Sequence, residues 1–436
     1  MQRVLLAVIV IALIVMVGKM IPSEHSSDQE TTGEVAPAGS WLERPVENAS
    51  TDDPAGAAEA ERLKGMGYLG STTKTQTSNV GVVLLDSARV FPGLNLTISG
   101  HGPEASLMDM DGKVLHTWIK NFDDVWPKYP DLNRHVIRDR EFFSRVHLFE
   151  NGDLLATFEG YGIFKLDKDS NVLWAIPNHA HHDMFVTPSG QIYTLTREVT
   201  TDPKLMPGPI LEDFVVVLSP EGKELKRVSL LRAFERSPFA PTLNRMSPTE
   251  GDVFHTNTIQ VLDGKHAARS PIFRGGNVLF SARNISTVGI LDMDTGKVVW
   301  ALTGMWRRQH QPDLLDNGNM ILFDNLGAVF SHLHPYGHSR IIEFDPLTQQ
   351  VAWTYEGTAE NPFQSNTCGT VQRLPNGNTL ITESENGQAF EVTPAKEIVW
   401  KYITPHVAGE RNQFIANLFE VYRLAPDFPI DWISEN

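Results

Sequence analysis

The 436-residue sequence has little cysteine, little positive charge and little helical patterning. A single thiol, at Cys368, forms no intramolecular disulfide and cannot supply the paired thiolates of a structural zinc site. The 37 Lys and Arg stand against 53 Asp and Glu, for a formal net charge of −16. This balance leaves no basic stripe to neutralise phosphates and argues against nucleic acid as a partner. The near absence of helical periodicity favours an all-β fold.

One long apolar run is present, at the N-terminus. Arg3 precedes an unbroken apolar stretch over residues 4–17, and Gly18 and Lys19 follow it. This arrangement is typical of a signal peptide or signal-anchor, which we place at residues 1–21. It predicts export to the periplasm or the outer face of the inner membrane, with the chain tethered to the membrane by this segment. Residues 22–78 are rich in small, polar and acidic residues, a composition that predicts a flexible linker.

A short unit repeats through residues 79–436. In its clearest copies it reads apolar-Asp-x-x-Gly-x-apolar-x-Trp, and each copy predicts a β-hairpin with an acidic or Gly-containing turn. Further turns such as ENGD, TPSG and LPNGN lie between the copies, which gives about four short strands per unit. We therefore predict an all-β, six-bladed β-propeller over residues 79–436, with the tryptophans packed between blades. The six copies end at Trp118, Trp174, Val228, Trp300, Trp353 and Trp400.

A second recurring position lies eight residues before a turn glycine. The pairs are His310 with Gly318, His182 with Gly190, and Ser144 with Gly152. The Asn-Gly pair at 317–318 predicts a tight hairpin in which both turn residues have positive φ. The recurring position should then begin the strand nearest the propeller axis, where propellers bind ligands.

Histidines in three segments could meet at the mouth of the central channel, together with Arg283, which we place at the start of the strand leading to Trp300. Neutral imidazole is a nucleophile and a proton shuttle near pH 7, and a guanidinium binds oxyanions such as sulfate. Because no carboxylate cluster accompanies them, these residues favour transfer of an anionic group over glycoside hydrolysis. The segments contain His179, His181 and His182; His255 and Asn257; and Arg307, Arg308 and His310.

Two other interpretations of the histidines stay open. Each could simply hydrogen-bond a neighbouring loop. The His-x-His spacings at His179/His181 and His332/His334, with His338 beyond, could also ligate a metal. These residues form no fixed ligand motif, so we predict neither a metal nor a cofactor.

Three blocks in order over about residues 250–325 resemble the bacterial arylsulfate sulfotransferases, the arylsulfotransferase family. The blocks are DVFHTNTI, SARNISTVGILDMDTGKVVWALTG and QHQPDLLDNGNMILFDN. The resemblance implies a six-bladed propeller and ping-pong transfer of a sulfuryl group from an aryl sulfate to a phenol, without a nucleotide sulfate donor. It implies His310 as the transiently sulfated nucleophile, Arg283 as the ligand of the sulfuryl oxygens, and His255 or His182 as the acid-base group.

We predict that Asn257, His181 and Arg308 contact the substrate, and the resemblance does not separate His181 from the adjacent His182. The chain departs from the family in an inserted loop over residues 264–276 and in having no cysteine pair. These departures bear on the identity of the acceptor.

Two alternatives belong to other functional classes. A non-catalytic, envelope-anchored propeller serving as a binding or scaffold module would tolerate substitution of His310 and Arg283. A quinone-cofactor dehydrogenase is the other, since Trp-bearing propellers also serve that chemistry. Six repeat copies rather than eight, and the lack of vicinal cysteines, count against the dehydrogenase. The sequence predicts no particular oligomeric state.

Overall fold

The computed structural model describes residues 79–129, 140–247, 251–326, 338–408 and 414–433. The predicted signal-anchor at 1–21 and linker at 22–78 lie outside these residues. Within the described ranges, no helix is long and apolar enough to cross a membrane. The helical segments there are short: α1 (Phe122–Val125), α2 (Leu230–Glu235) and 3-10 turns at Ala240–Arg245, Pro271–Phe273 and Ser384–Asn386.

Antiparallel strands form the rest of the regular structure. The first twelve are β1 (Gly81–Leu85), β2 (Asn95–Ser99), β3 (Glu104–Met108), β4 (Val114–Ile119), β5 (Arg145–Leu148), β6 (Leu154–Phe158), β7 (Gly162–Leu166), β8 (Val172–Ile176), β9 (Ala180–Val186), β10 (Ile192–Thr201), β11 (Pro209–Leu218) and β12 (Glu224–Ser229). The next eight are β13 (Thr256–Val261), β14 (Val278–Ala282), β15 (Thr287–Asp292), β16 (Lys297–Thr303), β17 (His310–Leu314), β18 (Met320–Asp324), β19 (Arg340–Phe344) and β20 (Val351–Tyr355). The last seven are β21 (Thr370–Arg373), β22 (Thr379–Glu383), β23 (Gln388–Val392), β24 (Ile398–Ile403), β25 (Val407–Ala408), β26 (Phe414–Ile415) and β27 (Leu418–Arg423).

The described strands form the six blades of a β-propeller, as the repeat predicts. Blades 2 to 5 are simple meanders of four consecutive strands, β5–β8, β9–β12, β13–β16 and β17–β20. Blade 6 is β21–β24, with β1 added as a fifth strand at its outer edge. Blade 1 is β2–β4 completed by β27, which pairs with β2 and lies nearest the axis. Pairing of β2, the second strand of the domain, with β27, the last, therefore closes the ring.

Apolar side chains fill the space between neighbouring blades. In β18, Met320 and Leu322 join a cluster shared with blade 4, whereas Ile321 and Phe323 join one shared with blade 6. Successive side chains of a strand point to opposite faces, so a strand that is buried on both faces has an unbroken apolar run. The run MILF is such a case, and similar clusters join the other pairs of blades.

The repeat tryptophans lie in the fourth strand of each blade, counted from the axis, and reach the next blade, as predicted. The indole Nε1–H groups donate to turn carbonyls of the following blade, and blade 6 reaches blade 1 in the same way. In the third copy, the side chain of Val228 faces the turn at Gly296 in blade 4. The hydrogen bonds are Trp118 to Gly152 (3.0 Å), Trp174 to Pro220 (3.2 Å), Trp353 to Pro394 (2.9 Å) and Trp400 to Met110 (3.0 Å).

The turn after each innermost strand accounts for the eight-residue spacing. In blade 5, Leu315 N–H donates to Asn319 O and Gly318 N–H donates to Leu315 O, both at 2.8 Å, and blade 2 repeats this pair of bonds. Gly318 has a φ of 81°, but Asn317 is not in the left-handed region. The prediction of positive φ at both turn residues is therefore wrong. The connection is a five-residue loop that requires a left-handed conformation only at its glycine.

Candidate functional site: the histidine pocket

The innermost strands begin around a narrow pocket at one end of the channel. Each blade contributes at least one residue near the start of its innermost strand, and we name this space the histidine pocket. The recurring position of the sequence faces it. His310 is the first residue of its strand, as expected, but Ser144 lies one residue before β5 and His182 is the third residue of β9. Its lining includes Ser144, His182, Asn257, His310, Cys368 and Phe419.

The backbone around this pocket is strained. The φ angles are 55° at His182, 50° at His255, 47° at Gln311 and 55° at Cys368. A non-glycine residue in this left-handed region costs about 1–3 kcal/mol, and such residues cluster at functional sites. The strain falls where blades 3 to 6 turn into the pocket, so the chain is bent there to direct these side chains inward.

His310 is held in one tautomer by an amide. Its Nδ1 lies 2.7 Å from Asn325 Oδ1. The Asn325 Nδ2 group donates to the carbonyl oxygens of Ser365 at 2.8 Å and Cys368 at 2.7 Å, which fixes the orientation of the amide. Oδ1 can only accept, so His310 carries its proton on Nδ1 and keeps a lone pair on Nε2.

His310 is also kept neutral. Burial first, and then the positive charge of Arg283, lowers the pKa of His310 well below its ordinary value. A neutral imidazole with an unprotonated Nε2 is the form that a nucleophilic histidine requires.

His182 and His255 face each other across 3.1 Å, Nε2 to Nε2. His255 Nδ1 donates to Asp252 Oδ2. His182 Nδ1 lies 3.0 Å from Glu159 Oε1, and an ionised carboxylate at this distance favours a proton on that nitrogen. At this distance one Nε2 can donate a hydrogen bond to the other when it carries a proton. The pair is therefore placed to pass a proton between its two rings.

Burial and pairing determine the charges of the His182/His255 pair and its two carboxylates, which together we name the relay. Burial acts to raise the pKa of Glu159, but His182 and then Arg197 outweigh it and hold that pKa at about 2. Burial acts to raise the pKa of Asp252 too, but His255 holds it well below its ordinary value. Burial lowers the pKa of His255 to about 4, against the opposing effect of Asp252. Both carboxylates are thus ionised at neutral pH, and His255 is the proton acceptor of the histidine pair.

Arg283 lies in the turn between β14 and β15, not at the start of β15, which begins at Thr287. The prediction that Arg283 lies at the start of a strand is therefore wrong, because the residue lies in the turn before that strand. Its side chain is buried, its Nη1 donates to Asn284 Oδ1 at 3.0 Å, and its charge lowers the pKa of both His310 and His255. A buried guanidinium close to both histidines is suited to the oxygens of a sulfuryl group.

The remaining predicted substrate-binding residues differ in position. Asn257 lines the histidine pocket, and its Nδ2 donates to Gln309 O at 2.9 Å, which fixes the residue before His310. His181 is buried behind His182, with its Nδ1 2.9 Å from that of His182. Of the two adjacent histidines, His182 faces the pocket. Arg308 lines neither the histidine pocket nor the channel below it, and its substrate contact stays a prediction.

Carboxylates surround the histidines, so the expectation of no carboxylate cluster is wrong. Glu159 and Asp213 come from strands and turns that no local spacing links to the histidines. Asp183 directly follows His182. Asp252 lies three residues before His255 and also accepts that residue's backbone N–H. Each carboxylate is bonded to a histidine or a backbone amide, and burial and then the charge of Asp252 raise the pKa of Asp213 to about 7. The group consists of Glu159, Asp183, Asp213 and Asp252.

Two groups of described side chains contain enough donors for a metal ion. Glu159, His181 and His182 form one, and His101, Glu104 and His406 form the other, away from the histidine pocket. In the first group, the facing Nδ1 atoms of the two histidines already contact each other.

In the second group, the rings of His101 and His406 stack at 3.5 Å and 9°, so their lone pairs run parallel and do not converge on one ion. Of the other histidines proposed as ligands, His179 contacts Gly160 O and His338 contacts Glu356, while His332 and His334 lie outside the described residues.

Beneath the histidine pocket, the channel holds a second cavity of about 390 Å³, which we name the channel cavity. Arg145, Gln311 and Thr370 line both spaces. The Arg145 guanidinium crosses the axis, with Nε 2.8 Å from Asp183 Oδ1 and Nη1 2.8 Å from Glu420 Oε1. Its Nη2 donates to Gln311 Oε1 at 3.3 Å. One side chain of blade 2 thus contacts blades 1, 3 and 5.

Comparison with known proteins identifies one matching family. The family described as Arylsulfotransferase (ASST) matches residues 145–405, which is more than half of the chain. This range contains the histidine pair, Arg283 and His310. A search of curated proteins finds no match.

Several solved structures are similar to this chain at low identity. A protein of unknown function from Bacteroides caccae is 13% identical, covering 71% of this chain and 93% of its own, with a TM-score of 0.47. A catalytically inactive virginiamycin B lyase from Staphylococcus aureus with quinupristin is 10% identical, covering 75% and 89%, with a TM-score of 0.40. The WD40 β-propeller domain of Doa1 is 13% identical, covering 81% and 95%, with a TM-score of 0.42. At these scores the similarities carry no argument about the site.

Proposed function

Because this chain belongs to the arylsulfotransferase family, we propose that it moves a sulfuryl group from an aryl sulfate to a phenol through a transiently sulfated His310. The observation that carries the proposal is the tautomer of His310, whose Nε2 is left unprotonated by Asn325 in a buried site next to Arg283. A nucleophile, an oxyanion ligand and a proton relay are the groups that the reaction needs. His310 and His182 line the histidine pocket, and the charge of Arg283 lowers the pKa of both His310 and His255.

In the first half-reaction, His310 Nε2 attacks the sulfur of the aryl sulfate. The N–S bond forms as the bond from sulfur to the aryl oxygen breaks, and the leaving phenolate takes a proton from the His182/His255 pair. Arg283 stabilises the sulfuryl oxygens, and a single oriented donor of this kind is worth roughly 10²–10³ in rate. The Nδ1–H of the sulfated ring stays bonded to Asn325, which supports the positive charge on the imidazole.

In the second half-reaction, the acceptor phenol occupies the place of the departed product. Its hydroxyl proton passes to the His182/His255 pair as its oxygen attacks sulfur. The N–S bond breaks, and His310 returns to its neutral form. The relay ends with the proton count it began with, so no external acid or base is required.

The test uses the purified full-length protein with p-nitrophenyl sulfate, with and without phenol. We expect phenol-dependent release of nitrophenol and a sulfuryl adduct on the peptide containing His310, detected by mass spectrometry. Release that does not depend on phenol would indicate a hydrolase. Neither turnover nor an adduct with several aryl sulfates would refute the proposal and favour the scaffold alternative.

We also propose that the chain is exported and tethered by residues 1–21, a segment supported only by its sequence pattern. A fusion of residues 1–78 to alkaline phosphatase, which is active only outside the cytoplasm, tests export. Salt washing and detergent extraction of membranes then test the tether. An inactive fusion would exclude export, and a freely soluble active fusion would exclude the anchor.

A further inference from the structure

The two spaces that Arg145, Gln311 and Thr370 line in common differ in size. The channel cavity has about 390 Å³ and the histidine pocket about 20 Å³. The channel cavity has room for on the order of ten water molecules or more. A sulfated histidine is exposed to a competing reaction in such surroundings, because water is also an acceptor for the sulfuryl group.

Resting on the function proposed above, we propose that Arg145 is a positioning residue that shields the sulfated His310 from water in the channel cavity. It would thereby set the ratio between transfer to a phenol and hydrolysis. The inference rests on geometry, since Arg145 contacts three other blades across the axis and lines both spaces.

Arg145 is suited to closing the channel. Its planar guanidinium presents several donors at fixed angles, so it can contact Asp183, Glu420 and Gln311 at once. Asp183 is itself fixed by the backbone N–H of Ile259 at 2.8 Å. Two carboxylates next to one guanidinium leave no excess positive charge, which distinguishes this group from an oxyanion ligand.

The competing reaction needs no further reactant. A water oxygen attacks the sulfur on His310, the N–S bond breaks, and the sulfuryl group leaves as hydrogen sulfate, which retains one of the two water protons. One water proton passes to the His182/His255 pair, which takes the phenol proton in the transfer reaction. The two outcomes share the same nucleophile and relay and differ only in which acceptor reaches the sulfur.

Two variants, which we name the partition variants, should weaken the barrier between the histidine pocket and the channel cavity in different ways. Arg145→Lys retains the positive charge, but a single ammonium cannot reach all three partners. Glu420→Gln keeps Arg145 in place and removes one ion pair, so it remains informative if the Arg145 variant does not fold. The matched control is Arg373→Lys. Arg373 lines the channel cavity but not the histidine pocket, and it pairs with Glu343 at 2.6 Å.

The experiment supplies the full-length protein with p-nitrophenyl sulfate and phenol and measures inorganic sulfate and phenyl sulfate by ion chromatography. We expect both partition variants to raise the ratio of sulfate to phenyl sulfate by about fivefold or more. The lifetime of the His310 adduct without phenol should shorten by a similar factor. Arg373→Lys should change neither quantity.

The possible outcomes separate this inference from the proposed function. An unchanged ratio in folded Arg145→Lys and Glu420→Gln proteins would overturn the shielding role. An equal fall of both products would overturn it too, since that is the result of a purely structural role. If the wild-type protein yields neither phenyl sulfate nor an adduct, the proposed function itself fails.

Discussion

Two recurring positions of the blades have opposite character. The outer position, in the fourth strand from the axis, is Trp in five of six copies, and where its hydrogen bond is seen, the indole donates to a turn of the next blade. The position near the start of the innermost strand changes from Ser144 to His182 to His310 in blades 2, 3 and 5. The outer position repeats an identical contact, and the inner position supplies different groups to one pocket.

Ring geometry explains the contrast. Each outer position faces its own blade interface, and these interfaces are alike, so the same side chain fits all of them. The inner positions converge on a single axis, where each faces a different side of the same pocket. A repeated residue therefore indicates packing in this chain, and a repeated position with changing residues indicates chemistry.

The largest effect should come from the inner position. His310→Asn removes the nucleophile, and kcat/KM for aryl sulfate should fall by roughly 10⁴-fold or more, with the urea midpoint unchanged. The matched control is His266→Asn, because His266 hydrogen-bonds a turn carbonyl, Leu315 O at 3.0 Å, and lines neither the histidine pocket nor the channel cavity. Substantial residual turnover without an adduct would show that His310 is not the nucleophile.

The outer position should affect stability and leave chemistry alone. Trp118 is fully buried, and Trp118→Ala should lower the free energy of unfolding by about 3–5 kcal/mol. Activity per folded molecule should be unchanged. Leu173, in the neighbouring blade, is 50% exposed, and Leu173→Ala serves as the control, with an expected loss below about 0.5 kcal/mol. Urea denaturation measures both, and similar losses in the two variants would contradict the contrast.

The relay should have an intermediate effect. Asp252→Asn removes the carboxylate that holds the Nδ1 proton of His255, and kcat/KM should fall by about 10²-fold. The fall should be larger for phenyl sulfate than for p-nitrophenyl sulfate, because the poorer leaving group depends more on the proton. Asp263→Asn, on an exposed turn, is the control. Equal falls for both substrates would argue against proton donation by the pair.

The smallest effect should be that of mild acid on catalysis. Burial lowers the pKa of His255 to about 4 and that of His310 well below its ordinary value. The rate per folded molecule should therefore change less than about twofold between pH 7 and 5.5, as a pH profile of kcat/KM will show. An acid limb centred near pH 6.5 would contradict the assigned charges.

Stability should be more sensitive to acid than the rate. In the unfolded chain His255 takes up its proton near its ordinary pKa of about 6.5, well before the folded protein does. The unfolded state then binds more protons, so this contribution to stability is lost as pH falls from about 6.5 to about 4. Urea midpoints over this range measure the effect, and His255→Asn should reduce it.

Much of the fold could be predicted because the repeated hairpins are local. Each turn and its Trp lie within about a dozen residues, and the same pattern recurs around the ring. The closure could not be predicted, since nothing local in GVVLL assigns β1 to the edge of blade 6. Nothing local in LFEVYR assigns β27 to β2 either, more than 300 positions away.

The site divides in the same way. The sequence predicted His182, His255 and His310, and the structure brings all three together. It did not reveal Glu159 or Asn325, because each meets its histidine only through tertiary structure. Their partners lie in other strands and turns, and carboxylates and amides are common in turns, so no residue type marked them.

The closing strand also has a consequence for biosynthesis. Phe419 lines the histidine pocket and Glu420 anchors Arg145, and both belong to β27 near the end of the chain. During synthesis, the ribosome adds all three site histidines before it adds the strand that completes their pocket. Activity should therefore require β27, and a chain cut short before β27 would carry His310 in an open ring.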